Sequence, residues 1–286
     1  MIIDAHNHPD YMGLSCRDII SNMDKYQIDR TWLLTLETPE DEYLPSFYHR
    51  YARPDGKGAI PFSSCLACKE TAPERFVLGY APDPRIPYAI ERLAAAIEMY
   101  GVKVCGEIML RMMYDSPDAI SMFRFCGEKG LPVILEVNYG AERFEQHTRP
   151  NYWYGGGIEA FERMLKACPE TVFLGHGPGF WAHLSSDDLF DKYSYPQGKL
   201  EHGGRVEELM RLYPNLHCDL SAGSGLNALK RDPAFAKTFL LEFQNRVVYG
   251  RDLYGNQHQE FLNTLGLPGD VLDKIYSGNA LRLVKD

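Results

Sequence analysis

Short apolar runs alternate with amphipathic stretches from one end of this chain to the other. Runs rich in Val, Ile, Leu and Phe predict strands at 2–6, 31–36, 76–80, 102–108, 132–138, 172–176, 216–220 and 247–250. Helical periodicity fills the gaps at 17–26, 87–100, 117–129, 157–167, 204–212, 233–243 and 258–265. Pro87, Pro117 and Pro233 stand where a first-turn proline is tolerated, and Ser116 and Asp232 precede two of them as caps. The second crossover, around 65–71, has the weakest pattern. Several strands are apolar on both faces, 132–137 most plainly, as parallel strands covered on both sides must be.

Eight strand–helix alternations over 286 residues predict an α/β fold of the (β/α)8 TIM-barrel type, in one domain spanning 1–286. A doubly wound open sheet is the competing architecture, but the first turn carries no G-x-G-x-x-G phosphate loop. No repeat, low-complexity tract or linker divides the chain.

Composition narrows the partners. With 30 basic against 39 acidic residues the net charge is −9, which argues against a nucleic-acid partner, because phosphate binding needs a basic footprint. No run approaches the roughly 18 apolar residues of a membrane span. A small-molecule substrate fits this profile, and assembly into a homo-oligomer stays open. The chain opens directly on its first strand, which leaves no room for a signal peptide. Seven cysteines, an odd number, are scattered along it, most of them at predicted core positions. A reduced, cytoplasmic protein is the expectation. Cys65-Leu-Ala-Cys68 lacks the second pair that a structural zinc site needs.

Chemistry concentrates where the predicted strands end. The first ends in Asp4-Ala-His-Asn-His8, and alternation along a strand puts His6 and His8 on one side, roughly 6.6 Å apart along the backbone. Two imidazoles so placed can converge on one ion. Nine histidines in this length give roughly 0.3 such pairs by chance, so the pair alone is weak. Its weight comes from the other strand ends: Glu107 after the fourth, Glu136 and Asn138 on the fifth, His176 on the sixth, Asp219 on the seventh, Asp252 after the eighth. A barrel gathers these at one rim, and carboxylates near apolar strand ends are costly unless paired or metal-bound. For each acidic residue a purely structural role competes: Glu107 with Lys103, Glu136 and Asp252 in turns or caps, Asp219 in support of the site.

These motifs resemble those of the metal-dependent amidohydrolase superfamily, in particular the amidohydrolase-2 branch related to aminocarboxymuconate-semialdehyde decarboxylase. The matching stretches are Asp4-Ala-His-Asn-His8, Phe173-Leu-Gly-His-Gly177, Tyr249-Gly-Arg-Asp252 and the tail from Tyr276 to Leu283. The resemblance implies that His6 and His8 are metal ligands and that Asp252 binds metal and takes the proton of an attacking water. It implies that His176 binds a second ion or polarises water and substrate. Many relatives end the fifth strand in histidine, where this chain has Glu136. Either Glu136 replaces that ligand or Glu107 completes the site, and the Cys-Gly-Glu context favours Glu107.

The implied cofactor is one or two divalent ions. Mixed nitrogen and oxygen ligation suits Zn²⁺ first, while extra carboxylates shift preference toward Mn²⁺ or another hard ion. The expected activity is hydrolysis of an ester, lactone or amide in a small anionic molecule, with non-oxidative decarboxylation of an unsaturated or aromatic acid as the alternative and a non-catalytic metal-binding barrel as a third. Substrate contacts should come from rim loops: Arg111 after the fourth strand, Arg143 after the fifth and Trp181 after the sixth, with ordinary loop packing as the competing role. Ser221-Ala-Gly-Ser-Gly225, after the seventh strand, is either a phosphate site or a tight turn.

Overall fold

All eight strands form, in the predicted order and all parallel. They are β1 (Ile3–Asn7), β2 (Arg30–Leu33), β3 (Phe76–Leu78), β4 (Cys105–Ile108), β5 (Val133–Glu136), β6 (Phe173–His176), β7 (Leu216–Asp219) and β8 (Val247–Val248). The structure is a computed structural model, and it describes residues 1–42, 60–139 and 153–285. One sheet runs β1-β2-β3 and the other β4 through β8. Two seams join them into a ring. Tyr80 N–H donates to Val104 O at 3.0 Å and Lys103 N–H to Leu78 O at 2.9 Å on one side. Ala5 N–H donates to Tyr249 O at 3.0 Å and Asp252 N–H to His6 O at 2.8 Å on the other.

The crossover helices are α1 (Cys16–Lys25), α2 (Phe62–Thr71), α3 (Ala89–Tyr100), α4 (Pro117–Lys129), α5 (Ile158–Ala167), the single turn α6 (Pro178–Trp181) and α7 (Arg205–Leu212). Then come α8 (Ala222–Lys230), α9 (Pro233–Glu242) and α10 (Gln257–Thr264). Caps explain several starts: Ser15 and Asp18 form a reciprocal capping box on α1, and Asp232 accepts from Ala234 and Phe235 ahead of Pro233 on α9. The indistinct second crossover is a regular helix, α2. Its apolar residues are not gathered on one face, so periodicity could not announce it.

Two apolar layers make the barrel. Ile3, Ala5, Trp32, Leu34, Val104, Ile134, Leu174 and Val248 pack together inside the ring, with Ala280 and Val284 of the C-terminal segment against them. The alternate residues, such as Leu33, Phe76, Val133, Leu135, Phe173 and Cys218, pack outward against the helices. Both strand faces are therefore buried, which is why the strands read as unbroken apolar runs. Glu136 lies two residues beyond Ile134, and His176 two beyond Leu174, so strand alternation carries both onto the interior side at the C-terminal rim.

One expectation is overturned. Cys16, at the start of α1, is disulfide-bonded to Cys68 of α2, while Cys65, Cys105, Cys126, Cys168 and Cys218 are free and buried. The chain is thus not wholly reduced in this structure. The C-x-x-C does not act as a unit: Cys68 is bonded to Cys16, while Cys65 is buried and free.

Candidate metal centre

Six of the side chains picked out at the strand ends meet at one end of the ring. His6 Nε2 and His8 Nε2 are 3.3 Å apart. Glu107 Oε2 lies 3.4 Å from the first and 3.3 Å from the second, and Asp252 Oδ1 lies 3.8 and 3.4 Å away. His176 Nε2 is 3.5 Å from Glu136 Oε2, 3.8 Å from Glu107 Oε1 and 3.9 Å from Asp252 Oδ2. Tetrahedral ligands at about 2.1 Å from an ion are separated by roughly 3.4 Å. The His6, His8 and Glu107 atoms match that edge length, so these residues fit a divalent ion. Glu107 presents Oε2 to the histidine pair and Oε1 to His176. Both glutamates are therefore in the cluster, and Glu107 and Asp252 each reach the His6–His8 pair and His176.

Supporting residues fix which nitrogens face inward. Asp219 Oδ2 lies 2.6 Å from His6 Nδ1, and Leu34 O lies 2.9 Å from His8 Nδ1. An N–H on each Nδ1 leaves the Nε2 lone pair free for a cation. His176 Nδ1 sits 3.1 Å from Ser221 Oγ and 3.4 Å from Asp219 Oδ2, which orients its Nε2 in the same way. Behind this layer, Arg251 Nε donates to Asp4 Oδ2 at 2.7 Å and Asn7 Nδ2 to the same oxygen at 2.9 Å. This buried pair ties β1 to the turn after β8. Sequence reading missed the part played by Asp4, Asn7 and Arg251, although all three stand within the motifs it singled out.

Two glycines are required by close approach. A Cβ at Gly177, where φ is +92°, would lie 2.1 Å from Glu136 Oε2. One at Gly250 would lie 2.8 Å from Asp219 Oδ1 and 3.1 Å from His6 Cβ. Ala222 (φ 60°) and Asp252 (φ 48°), neither of them glycine, also take the left-handed conformation at this rim. Such backbone costs about 1–3 kcal/mol per residue and persists where the surroundings impose it. Here the hydrogen bonds Ala222 N–H to Arg251 O and Asp252 N–H to His6 O do so, at 2.9 and 2.8 Å.

Electrostatics favour a cation. Glu107, Glu136 and Asp219 are buried, and their ionic partners among the described residues are histidines. Burial pulls His6 down, but Asp219, Glu107 and Asp252 outweigh it and hold the imidazole well above its ordinary range. His8 is raised to about 9, Asp252 and Glu107 prevailing over burial. Glu107 is held well below the carboxylate range by His6 and His8 despite burial. Glu136 is pushed well up, by burial and by Glu107 and Asp252. Burial, aided by His6, holds His176 low, so its ring stays neutral. Protons and a cation would compete for these lone pairs.

The cluster forms one wall of a cavity of about 410 Å³. Tyr11, Met12, Leu36, Met109, Tyr195 and Leu253 give it a largely apolar lining, with Asn138, Ser194 and Ser224 as polar exceptions. Three expected substrate contacts fare differently. Trp181 does not reach the cavity: it is 1% exposed, donates its indole N–H to Asp219 O at 3.0 Å and packs against Phe180 and Phe239. The turn α6 that begins at Pro178 carries it into the core, so its role is packing behind β7. Arg111 is also absent from the cavity lining; its backbone N–H donates to Glu42 Oε2 at 2.7 Å and its Nη2 to Asp41 O at 3.3 Å. Arg143 lies outside the described residues. Residues 221–225 are not a simple turn: Ser221 is the N-cap and Ala222 begins α8.

A parallel barrel with paired histidines and carboxylates gathered at its C-terminal rim is of the metal-dependent barrel class. The chain belongs to the amidohydrolase family (Amidohydro_2), whose model matches residues 3–285. Members of that family are enzymes, decarboxylases and hydrolases among them. No curated protein sequence matches the chain. Among solved structures it is similar to a dihydroxybenzoic acid decarboxylase from Polaromonas with bound manganese and the inhibitor 2-nitroresorcinol. That match has a TM-score of 0.60 at 13% identity and covers 99% of this chain and 96% of that one. It is similar to a probable 2-pyrone-4,6-dicarboxylic acid hydrolase from Acinetobacter baumannii with citric acid bound, with a TM-score of 0.60, 12% identity and coverage of 99% and 98%. A third is a zinc-bound amidohydrolase from Burkholderia multivorans, with a TM-score of 0.61, 12% identity and coverage of 99% and 98%. At these identities the likeness is one of fold. No helix among the described residues is long and apolar enough to cross a membrane.

Proposed function

We propose that this protein is a metal-dependent hydrolase that attacks an ester, lactone or amide bond of a small anionic molecule with an activated water. The observation that carries this reading is the position of Asp252. Its carboxylate stands 3.4 Å from His8 Nε2 and is the most exposed of the cluster's acids, with 15% of the side chain accessible on the cavity wall. His6, His8 and Glu107 would hold a first ion together with Asp252, and Glu107, Glu136 and His176 a second. The ions named in the structural relatives, manganese and zinc, both suit this set. An ion held there would lower the pKa of a water toward about 7 and polarise a carbonyl.

The chain's own residues supply the remainder. Asp252, held by its backbone bond to His6, accepts the proton of the water and returns it to the leaving group. His176, neutral and anchored through Nδ1, keeps its Nε2 directed at the reacting centre. The apolar cavity wall excludes bulk water and strengthens these interactions.

Decarboxylation is the second reading, because a decarboxylase of dihydroxybenzoic acid shares the fold. The two differ in where water ends up. The manganese- or zinc-loaded protein is incubated in ¹⁸O-water with 2-pyrone-4,6-dicarboxylate, with simple lactones and with dihydroxybenzoates. Label in the product carboxylate is expected. Release of CO₂ from a dihydroxybenzoate, with no lactone opened, would replace hydrolysis by decarboxylation.

A further inference from the structure

Residues 185–202, between α6 and α7, form a loop closed at its base. Glu201 N–H donates to Ser185 Oγ at 2.9 Å, Ser186 N–H to Glu201 O at 3.1 Å and Ser186 Oγ to His202 O at 2.8 Å. Its far end is fastened to α8 on both sides of Pro196. Asn227 Nδ2 donates to Pro196 O at 3.0 Å, and Gln197 Nε2 donates to Asn227 Oδ1 and Tyr195 O at 2.7 and 3.2 Å. Arg231, just past α8, donates to Gly198 O at 2.9 Å and pairs with Asp187. Compact loops of this kind frequently carry function, because a tip already tied down loses little freedom when a ligand binds.

These bonds hold Tyr195 in the wall of the metal-centre cavity. The position of its hydroxyl follows from four residues that line the same cavity. A Cβ built at Gly223 would meet Tyr195 Cε1 at 3.5 Å and its hydroxyl oxygen at 3.9 Å. Glu136 and Asp252 act on the phenol through space, and the phenol acts in turn on Tyr11. The hydroxyl therefore faces into the cavity. Tyr195 is 45% exposed, and its hydroxyl has no hydrogen-bond partner among the described residues, so a ligand can reach it. A phenol is a donor at neutral pH in any case, and burial, with Glu136 and Asp252, pushes this one up to about 12.

Resting on the metal-dependent reading above, we propose that Tyr195 is a specificity-determining residue, its hydroxyl donating a hydrogen bond to an oxygen of the molecule bound at the metal centre. The wall beside it, with Met12, Leu36, Met109 and Leu253, is apolar. A ligand that seals the cavity with carbon opposite the hydroxyl leaves that donor without water or partner, which costs more than the bond itself contributes. The ligand it selects carries an acceptor oxygen at a fixed distance from the end that lies among His6, His8 and Glu107.

The test uses benzohydroxamates, whose hydroxamate chelates divalent ions and so anchors one end of the probe. Benzohydroxamate and its ortho, meta and para acetyl derivatives are titrated by calorimetry into manganese-loaded protein, each acetyl compound beside its isopropyl isostere. At least one acetyl isomer should bind about fivefold tighter than its isostere, as expected for one neutral hydrogen bond. Tyr195→Phe keeps the ring against Gly223 and should erase that ratio, with Tm and the affinity for benzohydroxamate itself unchanged. If no acetyl isomer gains over its isostere, or if Tyr195→Phe keeps the ratio, the assignment is wrong. Failure of the metal reading shows separately. Benzohydroxamate that does not bind, or that binds equally well after chelation of the metal, counts against that reading, whereas the ratio of acetyl to isopropyl affinity reports on Tyr195.

Discussion

Asp219 holds His6 from behind: its Oδ2 lies 2.6 Å from Nδ1, on the far side of the ring from the Nε2 that faces His8 and Glu107. The same carboxylate reaches His176 Nδ1 at 3.4 Å, so one buried acid orients two imidazoles from strands β1 and β6. Burial disfavours its charge, yet His6 and His176 keep it below the usual carboxylate range. An acid in this position raises the basicity of the nitrogen opposite and fixes the tautomer that can bind a cation.

Asp219→Asn should therefore weaken metal binding about 10–100-fold without unfolding the barrel. Competition with a chelator of known affinity measures this, and circular dichroism checks the fold. An unchanged metal affinity would leave Asp219 with a packing role.

Glu107 and Glu136 should separate on substitution. Glu107 belongs both to the group with His6 and His8 and to the group with Glu136 and His176, so Glu107→Ala should remove nearly all bound metal. Glu136→Ala touches only the second group and should leave one ion per chain. Elemental analysis after gel filtration reads both. A Glu136→Ala protein without metal, beside a loaded Glu107→Ala protein, would reverse the assignment.

How much of this was legible beforehand follows from what each signal depends on. The eight strands showed because burial on both faces makes each an unbroken apolar run, and His6, His8, His176 and Asp252 showed because strand ends converge in a barrel. The choice between Glu107 and Glu136 did not, since it depends on about an ångström of placement that spacing cannot carry. The loops misled in a consistent way. Aromatics and arginines after strands were read as substrate contacts, but Trp181 turns into the core and the Arg111 guanidinium turns to Asp41 O. The Cys16–Cys68 bond was equally invisible, since it spans 52 residues and depends on how α1 lies beside α2. Arg251 was hidden beside the more obvious Asp252, although its buried pairing with Asp4 connects the two most informative motifs.

The disulfide predicts a thiol count. Denatured, non-reduced protein should titrate five thiols, those of the free cysteines, and seven after reduction. Closing a loop with a separation of 52 residues restricts the unfolded chain, and Cys16→Ser should cost about 2–4 kcal/mol of stability. Urea unfolding with and without reductant measures this. Seven thiols without reductant would show that the pair is reduced in solution.

His217 should set an acid limit on stability. It lies on β7, where burial, with Arg246 and Arg282 nearby, lowers its pKa to about 3, and its Nδ1 has no hydrogen-bond partner. In the unfolded chain it titrates near 6.5. Above that value both states are neutral and the residue has no pH effect. As pH falls below 6.5 the unfolded chain takes up a proton that the folded chain refuses, so stability falls by about 1.4 kcal/mol per unit until the pH nears the folded value. His217→Leu removes this proton and leaves no buried donor or acceptor unpaired, so it should be close to neutral at pH 7. It should become more stable than the wild type by about 2 kcal/mol at pH 5. Urea unfolding of both proteins in chelator at pH 7, 6 and 5 isolates the effect, since the metal-site histidines are common to both. Parallel pH dependences would mean that His217 accepts its proton in the folded barrel.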